Sequence, residues 1–458
     1  MKVSNTLAQY VVETAYNDLP AHVVETTKKS FLDALGVTLA ASGLVDACKA
    51  FVELARESEG KKESTIVGFQ SKVPAPMAAF ANGSMAHALD FEDTHDRALV
   101  HSNAVPIPAA MAVAESIGNI HGKDFITALA IGSDIVCRLG LSFTESPFEY
   151  GWYIPPILGA FGAAAAVGKL LQLTADQIVD AFSLTLCQAT CSAELRDSPH
   201  SDIRAVRDAF AAQAGVVSAM LAKKGIKGFD FPFEGKAGFY NLYARGHFEA
   251  LMLTKGLGKT FESGNISFKP WPACRGTHAY IEAALTIMKE HVVAIQDITE
   301  IKIIISFVNK MLCEPMEIKQ HPKTAIDAKF SLPFVVATAL CHNDVNLSHF
   351  TVKSLKDKDV LQLARKMTYE VDSKLGLQEA TQGFLEIRTQ DEQVYAKRVE
   401  YAYGHPSNPI SQEALATKFL DCAKNAEEKI PEEHLKKTIE RIFSLEEVND
   451  IVEVLECF

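Results

Sequence analysis

The stretch HALDFEDTHDRALVHSNAV, residues 87–105, concentrates side chains that can transfer protons or bind metals. It holds three histidines, four acids and a threonine within nineteen residues. Histidine titrates near neutral pH and can therefore act as a general acid or base. Asp90 and Thr94 lie four residues apart and would share one face if the preceding helix continued. From the residues alone, the stretch could be an acid/base site, a metal site or a polar loop between helices.

A metal site and a solvated loop are the other two interpretations of this stretch. A metal site is disfavoured, because the spacing matches neither HExxH nor a two-histidine, one-carboxylate triad. A solvated loop between helices is the ordinary expectation for acidic residues alone. That expectation is weaker for a loop in which a histidine closely precedes a proline-bounded helix. We predict no metal ligands here.

A second segment with chemical potential is SFKPWPACRGTHAY, residues 267–280. Its two prolines hold the chain extended. Lys269 and Arg275 are thus presented from a rigid segment, which suits a carboxylate or a phosphate. Thr277 is expected to N-cap the following helix. A crossover between domains, with a surface lysine and arginine, fits the pattern equally well.

Two arginines open a later alanine-rich helix in SDIRAVRDAFAAQAG, residues 201–215. Arg204 and Arg207 lie about one turn apart, where the helix dipole mildly disfavours cations. They indicate either an anionic partner or salt bridges to Asp202 or Asp208. The salt bridge is the more common outcome for such a pattern.

Composition and cysteine usage limit the function classes. A net charge of −12 and a pI near 5.7 argue against nucleic-acid and membrane-surface partners, which require a basic face. Nine cysteines without a CxxC pair, and a first segment unlike a secretory signal, predict reduced thiols and a cytoplasmic location. Cys187, Cys191 and Cys274 could ligate an iron–sulfur cluster, but CxxxC is a poor signature for one. Nucleotide-binding and serine-hydrolase motifs are absent from the sequence.

Hydrophobic periodicity divides the chain into two parts. Up to about residue 265 helix follows helix, and apolar faces rich in Ala and Gly, as in GAFGAAAAVGKLL, predict close helix packing. After 268, β-rich runs such as EIKIIISF and FLEIRT alternate with helical segments, one of them at 324–341. We predict a mainly α protein in which residues 1–266 and 405–458 form a large all-helical domain and residues 267–404 form a smaller inserted α+β domain.

Six ordered blocks of the chain resemble the 2-methylcitrate dehydratase (MmgE/PrpD) superfamily, which includes cis-aconitate decarboxylase and iminodisuccinate epimerase. The blocks are HALDFEDTH…HSNAVPIPA, GAFGAAAAVGKLL, AFAAQAGVVSAMLAKKGIKGF…FEGKAGFYNLY, SFKPWPACRGTH, KTAIDAKFSLPFVVATAL and GHPSNPISQEALATKF. The resemblance covers essentially the whole chain. It implies a homodimer that needs neither metal nor organic cofactor. It also implies proton transfer on carbon next to a carboxylate of a di- or tricarboxylic acid.

Two positions depart from the pattern of this superfamily. Relatives commonly have G-[FW]-H-P-T before the Ala-rich helix, and here Tyr153 stands in place of the histidine. They also commonly have K-P-x-H-x-G where this chain has Arg204 and Arg207. Tyrosine can still donate a hydrogen bond or act as an acid, and two arginines can hold carboxylates in bidentate fashion. Both departures are expected to alter the substrate pocket.

We therefore expect a cofactor-independent lyase or isomerase, in the first place a 2-methylcitrate dehydratase-like hydro-lyase that binds a small carboxylate. A decarboxylase-like or epimerase-like enzyme and a non-catalytic carboxylate-binding protein are the alternatives. From the resemblance, the expected catalytic residues are His101, Asp90 and Lys269, with His101 as general acid or base because its pKa lies near working pH. Tyr153, which departs from the family's pattern, is expected to assist the leaving group. The expected substrate-binding residues are Thr94, Arg204, Arg207, Cys274, Arg275 and His278.

Overall fold

The chain folds into two compact units. The computed structural model describes residues 2–198, 201–376 and 379–458. One unit contains Met1–Ile266 and Ser411–Phe458, and the other contains Ser267–Ile410. We predicted the return to the helical unit at residue 405, and the structure has it at Ser411. Helices make up 57% of the structure and strands 9%, which confirms a mainly α fold with a small α+β part.

The first unit is built mainly from helices that precede residue 267. They are α1 (Val3–Glu13), α2 (Ala21–Leu44), α3 (Asp46–Glu57), α4 (Ala75–Ala86), α5 (Pro106–Ile117), α6 (Gly122–Leu141), α7 (Ile154–Leu170), α8 (Ala175–Leu186), α9 (Ile203–Val206), α10 (Asp208–Lys223), α11 (Phe239–Ala244) and α12 (Ala250–Thr254). An antiparallel ribbon of two short strands, β1 (Ser64–Ile66) and β2 (Ser71–Val73), lies between α3 and α4. The sequence analysis did not anticipate this ribbon.

Helices α6, α7 and α10 approach one another closely through small residues. A Cβ atom on Gly162 of α7 would lie 2.3 Å from Cγ2 of Val136 and 2.7 Å from the carbonyl oxygen of Gly132, both on α6. A Cβ atom on Gly215 of α10 would lie 2.5 Å from Cβ of Ala163. Because protein interiors are close-packed, any larger residue at these positions would force the helices apart. The glycines thus allow the close helix packing that the Ala- and Gly-rich faces predict.

The second unit combines helices with a mixed sheet. Its helices are α13 (His278–Glu290), α14 (Met316–Gln320), α15 (Ala325–Lys329), α16 (Leu332–His342) and α17 (Lys358–Ala364), and its strands are β3 (Ile298–Ile305), β4 (Met367–Val371), β5 (Gly383–Thr389) and β6 (Val394–Val399). The strand order is β4-β3-β5-β6, with β3 and β4 parallel and the other two pairs antiparallel. Ile301, Ile303 and Ile305 alternate along β3 and are fully buried in the core of this unit, as expected of a strand with one buried face.

The helix predicted at 324–341 is divided into α15 and α16. The hydroxyl of Ser331 accepts a hydrogen bond from the Phe334 amide at 3.0 Å and so caps the start of α16. Pro333 occupies the first turn of α16, where proline is favoured. Local capping therefore starts a new helix inside a continuous apolar pattern.

The last segment of the chain completes the first unit with α18 (Gln412–Ala423), α19 (Glu432–Phe443) and α20 (Val452–Leu455). Helix α18 packs on α2, where Phe419 lies against Gly36. Lys418 of α18 is buried and donates hydrogen bonds to Asp33 of α2 at 2.6 Å and to the carbonyl oxygen of Phe91 at 2.7 Å. The C-terminal segment thus supports the loop that follows α4.

Within the described ranges, no single helix is long and apolar enough to cross a membrane. Helices α2 and α3 are long and apolar enough only when they are taken together, and the chain bends by 97° where they join. Most residues of α2 are buried inside the first unit.

Candidate active site

Residues 87–105 form a folded loop between α4 and α5 rather than a continuation of α4. Asp90 has a φ of +50°, in the left-handed region that residues other than glycine seldom adopt. The chain turns back at this point and brings Glu92 against His87, five residues earlier. The proline-bounded helix that starts at Pro106 then ends the loop, as the sequence predicts. A backbone conformation of this kind is costly and is found preferentially at functional sites.

His95 holds this loop in place. Its amide donates to the carbonyl oxygen of Val100 at 2.9 Å, and its Nδ1 accepts a hydrogen bond from the Ala98 amide at 3.0 Å. Since Nδ1 is an acceptor, the ring proton is on Nε2, which lies 3.2 Å from Oε2 of Glu262. This hydrogen bond from His95 lowers the pKa of Glu262 to about 2. His95 is therefore committed to a structural role.

Four side chains of the loop meet in one cluster: His87, Asp90, Glu92 and His101. Nδ1 of His101 lies 2.7 Å from Oε1 of Glu92, and Nδ1 of His87 is in close contact with the same oxygen. Nε2 of His101 is 3.9 Å from Oδ1 of Asp90. The two imidazole rings meet edge to face, with centroids 4.4 Å apart. One carboxylate oxygen thus bridges two histidines.

The four members of the cluster differ in accessibility and charge. Three of them are at most 5% exposed, whereas His101 is 17% exposed at its side chain. Burial lowers the pKa of His87, and the nearby guanidinium of Arg207 lowers it further against the opposing effect of Glu92. His87 is therefore held neutral at neutral pH. His101 is the member best placed to meet a substrate from solution.

The cluster also has side-chain types that bind metal ions. One ligand atom from each of the four residues lies within 4.8 Å of all the others. Sequence spacing concealed this arrangement, because it depends on the reversal of the chain at Asp90. Among the described residues, these four acids and histidines form a group whose ligand atoms are close enough to share one metal ion.

Arg207 is a buried cation beside this cluster. It is 2% exposed, and its guanidinium lies 4.7 Å from the centroid of the Tyr153 ring, a cation–π distance. Tyr153 is half-buried at the start of α7, where its amide donates to the carbonyl oxygen of Cys191 at 2.9 Å. Burial opposes the charge of Arg207, but Tyr153 and the carboxylates of Asp208 and Glu92 outweigh it and raise the pKa of Arg207. Arg207 therefore carries a permanent positive charge.

The hydrogen bonds of Arg207 leave part of its guanidinium unsatisfied. One N–H donates to the carbonyl oxygen of Arg204, and Nε is 3.7 Å from Oδ1 of Asp208, which is too long for a hydrogen bond. Nε and Nη2 are buried and have no hydrogen-bond partner among the described residues. Because a buried donor without a partner is costly, these groups point to an anionic ligand. Arg204 itself lies half-buried on the short helix α9.

Thr94 and Asp93 belong to the same loop and are buried. The hydroxyl of Thr94 donates to Oδ1 of Asp96 at 3.2 Å, and Thr94 is 6% exposed. Asp93 accepts a hydrogen bond from the amide of Asn103 at 2.7 Å. Burial, together with the carboxylate of Asp33, raises the pKa of Asp93 to about 7. The loop thus contains a second titrating group that the sequence analysis did not single out.

The predicted site residues after position 266 belong to the second unit. Lys269 and His278 are fully buried, Arg275 is 7% exposed, and Cys274 is half-buried. Nη2 of Arg275 donates to the hydroxyl of Ser267 at 3.3 Å. The lysine and the arginine are therefore not surface cations. The anion-binding interpretation of the segment stays a prediction.

One prediction in this segment was wrong. Thr277 precedes α13, but its side chain does not cap the helix. Its hydroxyl donates instead to the carbonyl oxygen of Cys274 at 2.8 Å. The segment before α13 forms a 3-10 turn, Arg275–Thr277, and this turn directs the hydroxyl backward.

Sequence reasoning missed two members of the cluster, His87 and Glu92. Both are in the stretch that was singled out, but their types alone did not distinguish them from the other polar residues. The available signal was the spacing of His87 and Asp90 across the end of α4. That spacing becomes informative only when the chain is known to turn back at Asp90.

Comparisons with known proteins extend over nearly the whole chain. The model of the MmgE/PrpD N-terminal domain matches residues 5–251, and that of the MmgE/PrpD C-terminal domain matches residues 271–443. A cis-aconitate decarboxylase-like protein of Aspergillus oryzae is 26% identical, over 99% of this chain and 96% of that protein. Human cis-aconitate decarboxylase is 24% identical, over 94% and 89%. A 2-methylcitrate dehydratase of Salmonella typhimurium is 22% identical, over 75% and 72%.

Proposed function

Because the chain belongs to the MmgE/PrpD family, we propose that it is a lyase that acts on a di- or tricarboxylic acid by proton transfer at a carbon next to a carboxylate. One observation supports this above all. A buried arginine with unsatisfied donors lies next to a cluster in which a carboxylate bridges two histidines. The arginine can bind a carboxylate while the histidines move a proton.

His101 is proposed as the general acid or base. Its Nδ1 lies against Glu92, whereas its Nε2 is 3.9 Å from Asp90 and too far for a hydrogen bond. Nε2 is therefore the nitrogen available to substrate. The Glu92 carboxylate lies close to Nδ1 without being aligned for a hydrogen bond, and it would attract the ring once His101 is protonated. Asp90 and Glu92 would stabilise the positive charge that His101 gains when it takes a proton.

Arg207 is proposed to bind a substrate carboxylate, with Tyr153 next to it as a hydrogen-bond donor or acid. Arginine suits this role because its N–H groups match both oxygens of a carboxylate. Removing a proton beside the carboxylate increases the negative charge on it, and preorganised donors stabilise that change. From the family resemblance, Thr94, Lys269, Cys274, Arg275 and His278 are proposed to bind substrate or assist proton transfer. Arg204, which departs from the family's pattern, is proposed to hold a substrate carboxylate.

Decarboxylation is the first candidate reaction, since the decarboxylases match more of the chain than the dehydratases do. The bond to one carboxylate breaks, CO2 leaves, and the carbon that takes up the electron pair receives a proton from His101. Dehydration, which the sequence analysis ranked first, is the second candidate. There His101 removes the proton, and hydroxide leaves with a proton from an acid such as Tyr153. Catalysis without a metal, a homodimer and a cytoplasmic location are proposed on the resemblance and on the cysteine pattern.

Proton NMR in D2O with EDTA present tests this function. The panel would contain cis-aconitate, 2-methylcitrate, citrate, malate and substituted succinates. We expect loss of a substrate signal with deuterium in the product, and the product spectrum separates decarboxylation, dehydration and epimerisation. His101→Gln should lower the rate by about 10²-fold or more, whereas His434→Gln, at an exposed position on α19, should not change it.

Two results would overturn the proposal. Near-normal turnover by His101→Gln would remove His101 from its role. A correctly folded protein that binds these acids, shown by an increase in thermal stability, but never turns them over would instead be a carboxylate-binding protein on the same fold.

A further inference from the structure

Lys418 of α18 is a buried cation that contacts the loop after α4 from the other end of the chain. It is 8% exposed, and its ammonium lies 2.6 Å from Oδ1 of Asp33, which is 2% exposed on α2. The same ammonium donates to the carbonyl oxygen of Phe91 at 2.7 Å and lies 3.8 Å from the centroid of the Phe91 ring. A lysine is rarely buried to this extent unless it is paired. Here the contacts of the lysine include the backbone of the loop.

Phe91 lies between two members of the acid/base cluster, Asp90 and Glu92. Because a peptide group is planar, the hydrogen bond to the Phe91 carbonyl oxygen also restrains the nitrogen and Cα of Glu92. The carboxylate of Glu92 in turn lies against the imidazoles of His87 and His101. The lysine ammonium therefore restrains the backbone from which the bridging carboxylate extends.

The packing of α18 on α2 sets the position of Lys418. A Cβ atom on Gly36, three residues after Asp33, would lie 3.2 Å from Cα of Phe419. Glycine thus lets the two helix backbones approach closely, and the ammonium is held opposite its carboxylate. The hydrogen bond to the loop therefore starts from two packed helices, which is the kind of support that keeps a site in one geometry.

We propose that Lys418 is a positioning residue that holds the backbone between Asp90 and Glu92, and through it the acid/base cluster. It acts through the Glu92 carboxylate rather than on the substrate. This inference rests on the proposed function, because it assigns the residue that positions the groups proposed to transfer the proton. A displacement of about 1 Å in such groups can lower the rate by about 10²-fold.

Lys28 on α2 provides a matched control. It is 2% exposed, lies 3.1 Å from Oε2 of Glu446 and donates to the carbonyl oxygen of Phe443, the last residue of α19, at 2.8 Å. Lys28 thus joins the same C-terminal segment to the same helix through the same kinds of contact, but the carbonyl that it binds belongs to α19 instead of the loop. Lys28→Met should therefore lower the melting temperature and leave kcat unchanged.

Two variants remove the ammonium from the loop. Lys418→Met keeps most of the apolar length of the side chain, and its kcat on an acid that the parent turns over should fall by about 10²-fold with a smaller change in KM. This variant also removes the counter-ion of the buried Asp33, which is strongly destabilising. The double variant Asp33→Asn, Lys418→Met removes both charges, and replacing a buried ion pair by neutral residues often costs no stability. The double variant should therefore regain the melting temperature of the parent but not its kcat.

Histidine side-chain NMR of the full chain follows the cluster without requiring turnover. With isotope-labelled histidine, the signals of His87 and His101 are assigned from His87→Gln and His101→Gln. Both signals should shift in the double variant, because the backbone before Glu92 is no longer held. Both should keep their parent positions in Lys28→Met.

The outcomes separate this inference from the proposed function. Shifted histidine signals without turnover of any acid would support the positioning role and contradict the lyase. Parent kcat in the folded double variant would overturn the positioning role and leave the lyase in place. Unshifted histidine signals in that variant, or an equal loss of kcat in Lys28→Met, would also overturn the positioning role.

Discussion

Asp93 is expected to make the stability of the protein depend on pH. Its carboxyl is 1% exposed, and one oxygen accepts a hydrogen bond from Asn103. Burial is the larger reason that its pKa is raised, and the nearby carboxylate of Asp33, which pairs with Lys418 at 2.6 Å, adds to it. The pKa rises from 3.8 to about 7. The folded protein therefore retains a proton that the unfolded chain has already lost at pH 5.

The direction and size of the effect follow from proton linkage. Below pH 3.8 Asp93 is protonated in the folded and in the unfolded state and does not change the free energy of unfolding. Between pH 3.8 and about 7 the unfolded chain ionises first, so the free energy of unfolding falls as the pH rises. A shift of about three units corresponds to roughly 4 kcal/mol. Above the pKa of the folded state Asp93 is ionised in both states, and the free energy of unfolding falls no further.

Asp93→Asn should remove this dependence, because asparagine resembles the protonated acid in shape and stays neutral. We expect the variant to equal the parent near pH 4 and to exceed it by roughly 4 kcal/mol at pH 8. Urea unfolding between pH 4 and 8 measures the difference. Asp46→Asn, whose side chain is 97% exposed, is the control. A constant difference between variant and parent over this range would refute the reasoning.

Three further predictions concern the cluster and the loop. Glu92→Gln should lower kcat by about 10²-fold with a smaller change in KM, because the neutral amide cannot stabilise a charged His101. Glu92→Asp keeps the charge and should restore part of the lost kcat. Equal kcat values for parent and variants in steady-state assays would contradict this. Glu262→Gln should destabilise the protein by up to about 3 kcal/mol above pH 4.5, because the hydrogen bond from His95 lowers the pKa of Glu262 to about 2. The difference in stability from the parent should vanish as the pH falls toward 2. Urea unfolding midpoints of parent and variant at pH 7 and pH 3 measure this loss of stability. A difference of the same size at both pH values would contradict the role of the Glu262 charge. EDTA should leave turnover unchanged, whereas Zn2+ should inhibit it by occupying the nitrogen of His101; activity lost on chelation and restored by metal would show that catalysis requires the ion.

Much of the fold could be predicted from local patterns. Helical spacing of apolar residues and alternation along β3 report which face of an element is buried, and that information is contained in the sequence of the element itself. The same patterns could not show that Pro333 and Ser331 begin a new helix within an apolar run, or that β1 and β2 form a ribbon. Strands of three residues are too short to show a period, and capping depends on the conformation of one side chain.

For the active site, the sequence determined the inventory and the tertiary structure decided its arrangement. Residue types, together with the family resemblance, pointed to the loop that follows α4 and to the cationic segment that contains Lys269. Only the folded chain shows that Glu92 bridges His87 and His101, because that contact requires the left-handed turn at Asp90. Only packing decides that Arg207 is buried with unsatisfied donors. Spacing reports neighbours along an element, whereas these contacts depend on where separate elements meet, and burial then sets the charge and the pKa of each group.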